Sequence, residues 1–366
     1  MKYLSTLLKI GLSVAIIAFL CYKASSDDDF SQILKTQKRW EFLFLGQFFV
    51  LLGISLSFIR WRSLVQAVGI SFSRLDALRI GFIGHMFGAI SIGTFGSDAI
   101  RIYYVAKENP QQKGLAVAAV FVDRICGLLG LFTLATITMI GFQYSGRSEV
   151  LSSESATLTT IAWIAFLLTC LGFAGFASLF ILPYIRRTRL IEGLIQRRYV
   201  GGIIEKMIEA GIAFQKRPSV LVIALFQSVC VHVFLTLSVY CIAIGLTVPH
   251  PSYGDHFIIS PIAHLANVLP LPGGFGGMEG SLYLFYKVLS GDPQNSLGFL
   301  VALTYRIATL TGAVIGIVFY LRGKKEIQSL VKNQDDLGTD DGDKGEYAKR
   351  ANETSEPVNE RQLSTT

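Results

Sequence analysis

Charged residues are scarce in this 366-residue chain: Asp, Glu, Lys and Arg make up 16% of it, whereas hydrophobic residues make up 51%. Soluble domains carry about a quarter charged residues, so the composition excludes an ordinary soluble enzyme of this length. The sequence also lacks a phosphate-binding P-loop, a dinucleotide-binding glycine fingerprint and the HExxH pattern of zinc hydrolases. We therefore expect no cofactor and no metal centre.

Cysteine is equally rare, and its placement excludes two further classes. The five residues, all in or at the end of apolar runs, are Cys21, Cys126, Cys170, Cys230 and Cys241. No CxxC pair occurs, and an odd count in apolar surroundings argues against a disulfide framework or a zinc site. We interpret all five as packing residues.

The net charge of +7 combines two opposite regions. Residues 326–366 hold five basic and ten acidic side chains, which leaves 28 basic and 16 acidic side chains in residues 1–325. The basic residues of the body lie in short segments beside apolar runs, which is typical of orientation signals and of contact with anionic lipids rather than with nucleic acid. We expect a membrane domain over 1–325 and a disordered acidic cytoplasmic tail over 326–366.

Long apolar runs predict an all-helical, multi-pass membrane protein. The first run follows Lys2 and Lys9 as a signal peptide would, but no A-x-A cleavage site follows it, so we interpret it as a retained helix. We expect about six spanning helices. They are placed at 4–22, 40–59, 114–142, 158–183, 218–246 and 298–321.

Two other apolar stretches, 76–106 and 255–290, are broken in the middle by glycine or by proline and glycine. Basic residues indicate that 60–75 and 107–113 face the cytoplasm, so the first stretch must enter the membrane and return. The same reasoning places both ends of the second stretch outside. We therefore expect two re-entrant hairpins; the alternative makes 76–93 a full span and places the N-terminus outside.

This arrangement divides the chain into two halves of opposite orientation, 1–142 and 158–321. Several residues recur between the halves at a single spacing: Gly93 with Gly273, Phe95 with Phe275, Gly96 with Gly276, Tyr103 with Tyr283 and Lys107 with Lys287. Between the predicted spans 158–183 and 218–246, the segment 184–217 carries eight basic residues among apolar ones and is expected to form a cytoplasmic amphipathic segment. The pattern is that of an inverted-topology repeat with cytoplasmic termini.

Charges at membrane depth are costly and are usually paired or functional. The candidates for substrate binding or transport are Asp98, Arg101, Asp123, Arg124, Glu279 and Arg306. Asp98 and Arg101 share a helix face, so they either pair or point together into a cavity, whereas Asp123 and Arg124 are neighbours on different faces. Glu279 is the expected partner of Arg306.

Polar and glycine residues around the two breaks are expected to support these charges. His264 and Asn267 precede the second break at helical spacing and can bond carbonyl groups freed there. His85 and His232 are expected to be satisfied polar residues inside the bundle. The glycines assigned a supporting role are Gly96, Gly273, Gly274 and Gly276.

Three ordered motifs resemble a known family. They are Gly96-Ser-Asp98-Ala-Ile-Arg101, Val122-Asp-Arg-Ile-Cys-Gly-Leu128 and Leu269-Pro-Leu-Pro-Gly-Gly-Phe-Gly-Gly-Met-Glu279, with Arg60-Trp-Arg62 and Tyr305-Arg306 in addition. Together they resemble the flippase-like membrane family named after the N-terminal region of bacterial lysylphosphatidylglycerol synthase, the multiple peptide resistance factor. The namesake has a soluble aminoacyltransferase domain, whereas about 45 polar residues follow the last span here, so its synthase activity is not expected.

The resemblance implies movement of a lipid headgroup between leaflets, in a bacterial plasma membrane. The expected ligands are membrane lipids, either anionic or polyprenyl-linked, and the expected partners include a separate lipid-modifying enzyme and further copies of the chain. Two alternatives remain open. One is an intramembrane transferase that acts on a lipid with Asp98 or Glu279 as base; the other is a scaffold for a separate lipid synthase.

Overall fold

The computed structural model describes residues 36–90, 95–144, 163, 166–177, 208–209, 211–266, 276–290 and 297–323. Within these ranges the chain is helical apart from turns and short connections, and it contains no strand. The main helices are α1 (Trp40–Ala67), α2 (Arg74–Ile90), α3 (Phe95–Glu108), α4 (Lys113–Tyr144), α5 (Phe166–Ala177), α6 (Pro218–Gly245), α7 (Tyr253–Leu265), α8 (Gly277–Ser290) and α9 (Leu297–Gly323). The expected all-helical membrane class is confirmed.

Four of these helices, α1, α4, α6 and α9, are long and apolar enough to cross a bilayer. At about 1.5 Å per residue, α1 and α6 each measure about 42 Å, which exceeds the hydrocarbon thickness of about 30 Å. Large apolar side chains such as Phe44, Phe48 and Phe226 are exposed on their outer faces. Such faces are suited to lipid rather than to water.

The four helices correspond to the predicted spans 40–59, 114–142, 218–246 and 298–321. The predicted span 4–22 lies outside the described residues. Of the predicted span 158–183, the structure describes mainly α5, a shorter apolar helix. Most of the predicted amphipathic segment 184–217 and all of the tail 326–366 also lie outside the described residues.

Helix α1 extends beyond the predicted span 40–59. Helix α1 continues through Arg60 to Ala67 and ends at Gly69, whose φ of 90° is the left-handed conformation common after helix ends. The amide of Ile70 donates back to the carbonyl of Val65, which closes this C-terminal turn. Arginine at residue 60 suggests a cytoplasmic loop. Because an acid on another helix neutralises its charge, the helix continues past this residue.

Each broken stretch forms two short helices that run back along each other. In the first, Gly84 of α2 lies against Ser97 of α3, and a methyl group on Gly84 would stand 3.0 Å from the Ser97 carbonyl oxygen. At the other end, burial and the carboxylate of Asp76 raise the pKa of Glu108, whereas the positive charge of Arg79 acts to lower it. The start of α2 and the end of α3 therefore lie together.

The second stretch has the same arrangement in α7 and α8. Near the break, a methyl group on Gly277 would stand 2.6 Å from the carbonyl oxygen of Ala266. Near the open end, the ring of His256 in α7 bonds the hydroxyl of Tyr286 in α8 at 2.8 Å. Both breaks predicted from glycine and proline therefore separate antiparallel helices.

Helices α1 and α6 pack against each other in antiparallel orientation. Gly46 of α1 faces Ser238 and Ile242, whereas Gly53, two turns later, faces Val231 and Leu235, which lie earlier in α6. Small residues let membrane helices approach closely, and van der Waals contact is then the main source of stability. Because α1 and α6 hold the same place in the two halves, their antiparallel contact is the one expected of an inverted repeat.

The two halves also exchange contacts through their short helices. Helix α2 of the first half packs on α9 of the second, where Gly316 touches the carbonyl group of Phe82 and His85 Nε2 bonds the carbonyl oxygen of Thr309 at 3.1 Å. Helix α7 of the second half packs on α4 of the first. These contacts lie in the compact unit Met1–Ile317; the second unit, Val318–Thr366, contributes only the described end of α9.

Candidate functional site

The first ion pair joins the helix after the first break to the span that follows it. Asp98 lies in the first turn of α3, where the helix dipole favours a negative charge. Arg124 of α4 donates to it twice, from Nε to Oδ2 at 2.7 Å and from Nη2 to Oδ1 at 2.5 Å. The side chains of Asp98 and Arg124 are 17% and 37% exposed, so the pair is partly accessible.

The second ion pair repeats this design in the other half. Glu279 lies in the first turn of α8, and Arg306 of α9 donates to it at 2.8 Å from Nε and at 3.3 Å from Nη2. The amide of Gly276 also donates to Glu279 Oε2 at 2.9 Å, and its φ of 93° explains the need for glycine there. This pair is more deeply buried than the first, with side chains 2% and 13% exposed.

The two pairs occupy equivalent places. In each half an acid follows the break, and the arginine that binds it lies 26 or 27 residues later, on the next span. The expected partnership of Glu279 with Arg306 is confirmed. The pairing of Asp98 with Arg101, one of the two options left by the sequence, is wrong because Asp98 is held by Arg124.

A third cluster surrounds Asp123, which is 2% exposed. Arg60 Nε donates to Asp123 Oδ1 at 2.8 Å, and Arg60 Nη1 donates to the hydroxyl of Ser228 at 2.8 Å. Arg101 Nη1 lies 3.7 Å from Asp123 Oδ2. Asp123 and Arg124, adjacent in sequence, thus serve different partners, as their placement on different helix faces predicts.

The sequence pattern does not single out Arg60 as a site residue, because an arginine after an apolar run usually marks a loop. The available signal was indirect. Asp123 lies inside a long apolar helix and needs a cation, and the neighbouring arginine of its own helix points elsewhere. Only the packing of α1 against α4 and α6 identifies that cation as Arg60.

Arg101 lies among aromatic side chains as well as charges. Its guanidinium carbon is 5.0 Å from the centre of the Phe58 ring and 5.4 Å from that of Trp61. Contact with an aromatic face offsets part of the cost of burying a cation. Arg101 is also within electrostatic range of Asp98 and Arg124, so the first ion pair and the Asp123 cluster form one charged region.

Histidines connect this region to the second pair. His264 of α7 bonds the Ser260 carbonyl oxygen at 2.6 Å and the Tyr305 hydroxyl at 2.8 Å, next to Arg306 in sequence. His85 is within electrostatic range of both Arg101 and Arg306. The charged groups of the two halves therefore face a common part of the bundle.

The remaining predicted residues have simpler outcomes. His232 Nε2 bonds the carbonyl oxygen of Gly127 at 3.0 Å, whereas its buried Nδ1 has no hydrogen-bond partner, so only one ring nitrogen is satisfied as expected. Gly96 is half-buried near the start of α3. Asn267, Gly273 and Gly274 lie outside the described residues. Among the residues that the structure describes, no three His, Cys, Asp or Glu side chains converge as a metal site would require.

Taken together, three arginines and two aspartates meet in the first half, and one further pair in the second. The arrangement suits noncovalent binding of an anion, because guanidinium groups match the geometry of phosphate and carboxylate oxygens. Each carboxylate is engaged by an arginine. The charges lie inside an apolar body, where they can replace the water that a polar group loses on entering a membrane.

Two comparisons place the chain among known proteins. The profile of the family described as Lysylphosphatidylglycerol synthase TM region matches residues 7–316. The UPF0104 membrane protein MJ1595 of Methanocaldococcus jannaschii is 24% identical over 341 residues, which cover 88% of this chain and 96% of that protein.

Proposed function

The chain belongs to the family of the lysylphosphatidylglycerol synthase transmembrane region, and from this premise we propose that it is a lipid transporter that moves a headgroup across the bilayer. Its substrate class is a phospholipid, a glycolipid or a polyprenyl-linked lipid. The headgroup passes through a charged cavity between the two pairs of short helices, while the acyl chains remain in the surrounding lipid.

One observation carries this proposal: the two equivalent ion pairs, Asp98 with Arg124 and Glu279 with Arg306, each with its acid at the start of the short helix that follows a break. The helix dipole favours an acid at the start of a helix, but it does not call for an arginine from the following span to bind that acid in both halves. Secondary transporters place their substrate sites at such breaks, at the interface between repeats. Arginines would contact a phosphate, and the carboxylates would balance them or bind a cationic headgroup.

The topology that serves this function has six spans and two re-entrant hairpins, α2–α3 and α7–α8, which enter from opposite sides of the plasma membrane. Both termini are cytoplasmic in this arrangement. Support comes from the proximity of Glu108 to Asp76, because a hairpin that returns to its own side brings its two ends together. It also comes from the antiparallel contact of α1 with α6.

Cysteine labelling tests the first hairpin. In a variant whose native cysteines are replaced, Ser71→Cys and Gln111→Cys are placed at exposed positions just outside α2 and α3. An impermeant thiol reagent should label both positions in inside-out vesicles, whose cytoplasmic face is accessible, and neither position in intact cells. Labelling from opposite sides would instead show that 76–106 crosses the membrane.

A leaflet-resolved assay tests transport. Purified protein is reconstituted into vesicles that carry fluorescent phospholipid, glycolipid or polyprenyl-phosphate analogues, and an impermeant quencher reports the outer-leaflet fraction over time. Wild-type protein should speed the movement of at least one class above that of empty vesicles. Glu279→Gln should abolish this acceleration of lipid movement, because it leaves Arg306 without its acid and alters the charge of the cavity.

The matched control is Glu41→Gln. Glu41 pairs with Arg39 at 3.3 Å, but both side chains are more than half exposed at the start of α1, so the same substitution removes an ion pair outside the cavity. The control should retain full transport. No acceleration for any analogue by wild-type protein, or equal loss in the two variants, would contradict the proposal.

A further inference from the structure

The buried charges of the first half do not balance. Arg124 is neutralised by Asp98, and Arg60 by Asp123, which leaves one cation over among the groups described in this region. Arg101 is that cation, because its nearest acid, Asp123, is 3.7 Å away and already accepts a hydrogen bond from Arg60. The region therefore carries one net positive charge.

Among the described residues of the second half, the positions that correspond to these charges hold no matching excess. When the first residues of α1 and α6 are aligned, Arg60 corresponds to Ser238. When Asp98 is aligned with Glu279, Arg101 corresponds to Leu282. The offset that aligns the two paired arginines places Asp123 on Tyr305. The pair of Asp98 with Arg124 therefore recurs in the second half as Glu279 with Arg306, whereas Arg60, Asp123 and Arg101 have no charged counterparts at these positions.

Arg101 also has unused hydrogen-bonding capacity. Arg101 is only 6% exposed to solvent, yet its Nε has no hydrogen-bond partner. The indole Nε1 of Trp61, whose ring lies 5.4 Å from the Arg101 guanidinium carbon, is likewise a buried donor without an acceptor. Buried N–H groups without acceptors are costly, and stacking on a ring face leaves the edge donors of a guanidinium available.

We propose that Arg101 is the anion-binding residue of the cavity and that it takes the phosphodiester of a lipid whose headgroup carries one net negative charge. This inference rests on the proposed transport function and adds to it the charge of the substrate. An incoming phosphodiester supplies the one negative charge that the region lacks and oxygen acceptors for the unused N–H groups. Arg124 and Arg306 stay with their acids and shape the cavity.

A binding experiment isolates this step from transport. The full-length protein is purified in a neutral detergent, and native mass spectrometry measures retention of phosphatidylglycerol, phosphatidylcholine or inorganic phosphate, each added alone. Wild-type protein should prefer phosphatidylglycerol over phosphatidylcholine, because the choline cation already neutralises the phosphodiester of phosphatidylcholine; a charge-assisted interaction lost in this way corresponds to about ten- to a hundredfold. Retention of inorganic phosphate with equal affinity would show that the site binds free anions and would overturn its assignment to a lipid.

Three variants give the expected order of effects. Arg101→Gln should abolish the preference for phosphatidylglycerol, and Arg101→Lys should restore part of it because it returns the charge without the fork of donors. Arg39→Gln, which removes an exposed arginine at the start of α1, should leave the preference unchanged. A preference that survives in Arg101→Gln would overturn the proposal.

A fourth variant excludes simple misfolding as the explanation. Asp98→Asn releases Arg124 and raises the net charge of the region by one, so it should strengthen retention of phosphatidylglycerol and favour phosphatidic acid, which carries more charge. Structural damage would instead lower binding in both Asp98→Asn and Arg101→Gln. A selective site in a protein that moves no lipid would refute transport alone, whereas transport with no dependence on Arg101 would refute this inference alone.

Discussion

The pair between Glu279 and Arg306 offers a quantitative test of how this protein holds charge inside the membrane. Glu279→Gln keeps the size of the side chain and an oxygen that can accept from the Gly276 amide, but it removes the negative charge. Arg306, whose side chain is 13% exposed, is then left without its acid. Removing one partner of a buried ion pair costs about 3–5 kcal/mol, because the other charge remains desolvated.

The outcome is measured as the free energy of unfolding in mixed detergent micelles, from titration with a denaturing detergent. Glu279→Gln should lower it by about 3 kcal/mol, since the retained hydrogen bond to Gly276 keeps the loss at the lower end of the range. The exposed pair of Arg39 with Glu41 provides the reference. Glu41→Gln should cost less than about 1 kcal/mol, as surface ion pairs do.

The double variant Glu279→Gln with Arg306→Gln completes the cycle. It removes both charges, so it should be more stable than Glu279→Gln alone although it contains one more substitution. The reasoning would be refuted if Glu279→Gln cost no more than Glu41→Gln. It would also be refuted if the losses of Glu279→Gln and of the single variant Arg306→Gln simply added in the double variant, because additivity would mean that the charges do not interact.

Two further predictions concern packing and hydrogen bonding. Gly130→Ala should destabilise the protein by about 1–3 kcal/mol, because the new methyl group would overlap Ser228 at the contact of α4 with α6; Gly141→Ala on the same helix has open space and should stabilise it by about 0.5–1 kcal/mol. Tyr305→Phe should cost about 1–3 kcal/mol by removing the partner of His264 Nε2, as measured by the same unfolding titration.

The sequence alone determined the class and the outline of the fold. Apolar runs of about 20 residues identify spanning helices regardless of their neighbours, because the cost of exposing backbone polar groups to lipid is a local property. Glycine and proline likewise mark the two breaks, since they change which conformations the backbone can adopt. The recurrence of residues such as Gly96 and Gly276 at one spacing already predicts two related halves.

The sequence determined only part of how the charged residues pair. The need of Arg306 for an acid follows from its depth, and Glu279 is the acid that the repeat supplies. For Asp98 the sequence offered pairing with Arg101 on its own helix or a shared orientation of the two into a cavity. Helical spacing favours a contact within α3, but the approach of α4 supplies a bidentate partner, which local periodicity does not reveal.

Only the tertiary structure decided where Arg60 and Arg101 belong. An arginine after an apolar run is an orientation signal by composition, and its burial depends on whether another helix brings it an acid. Helix α4 does so with Asp123, and α6 adds Ser228. Sequence patterns record what a helix contains, whereas the balance of charge at one point in the membrane depends on which helices meet there.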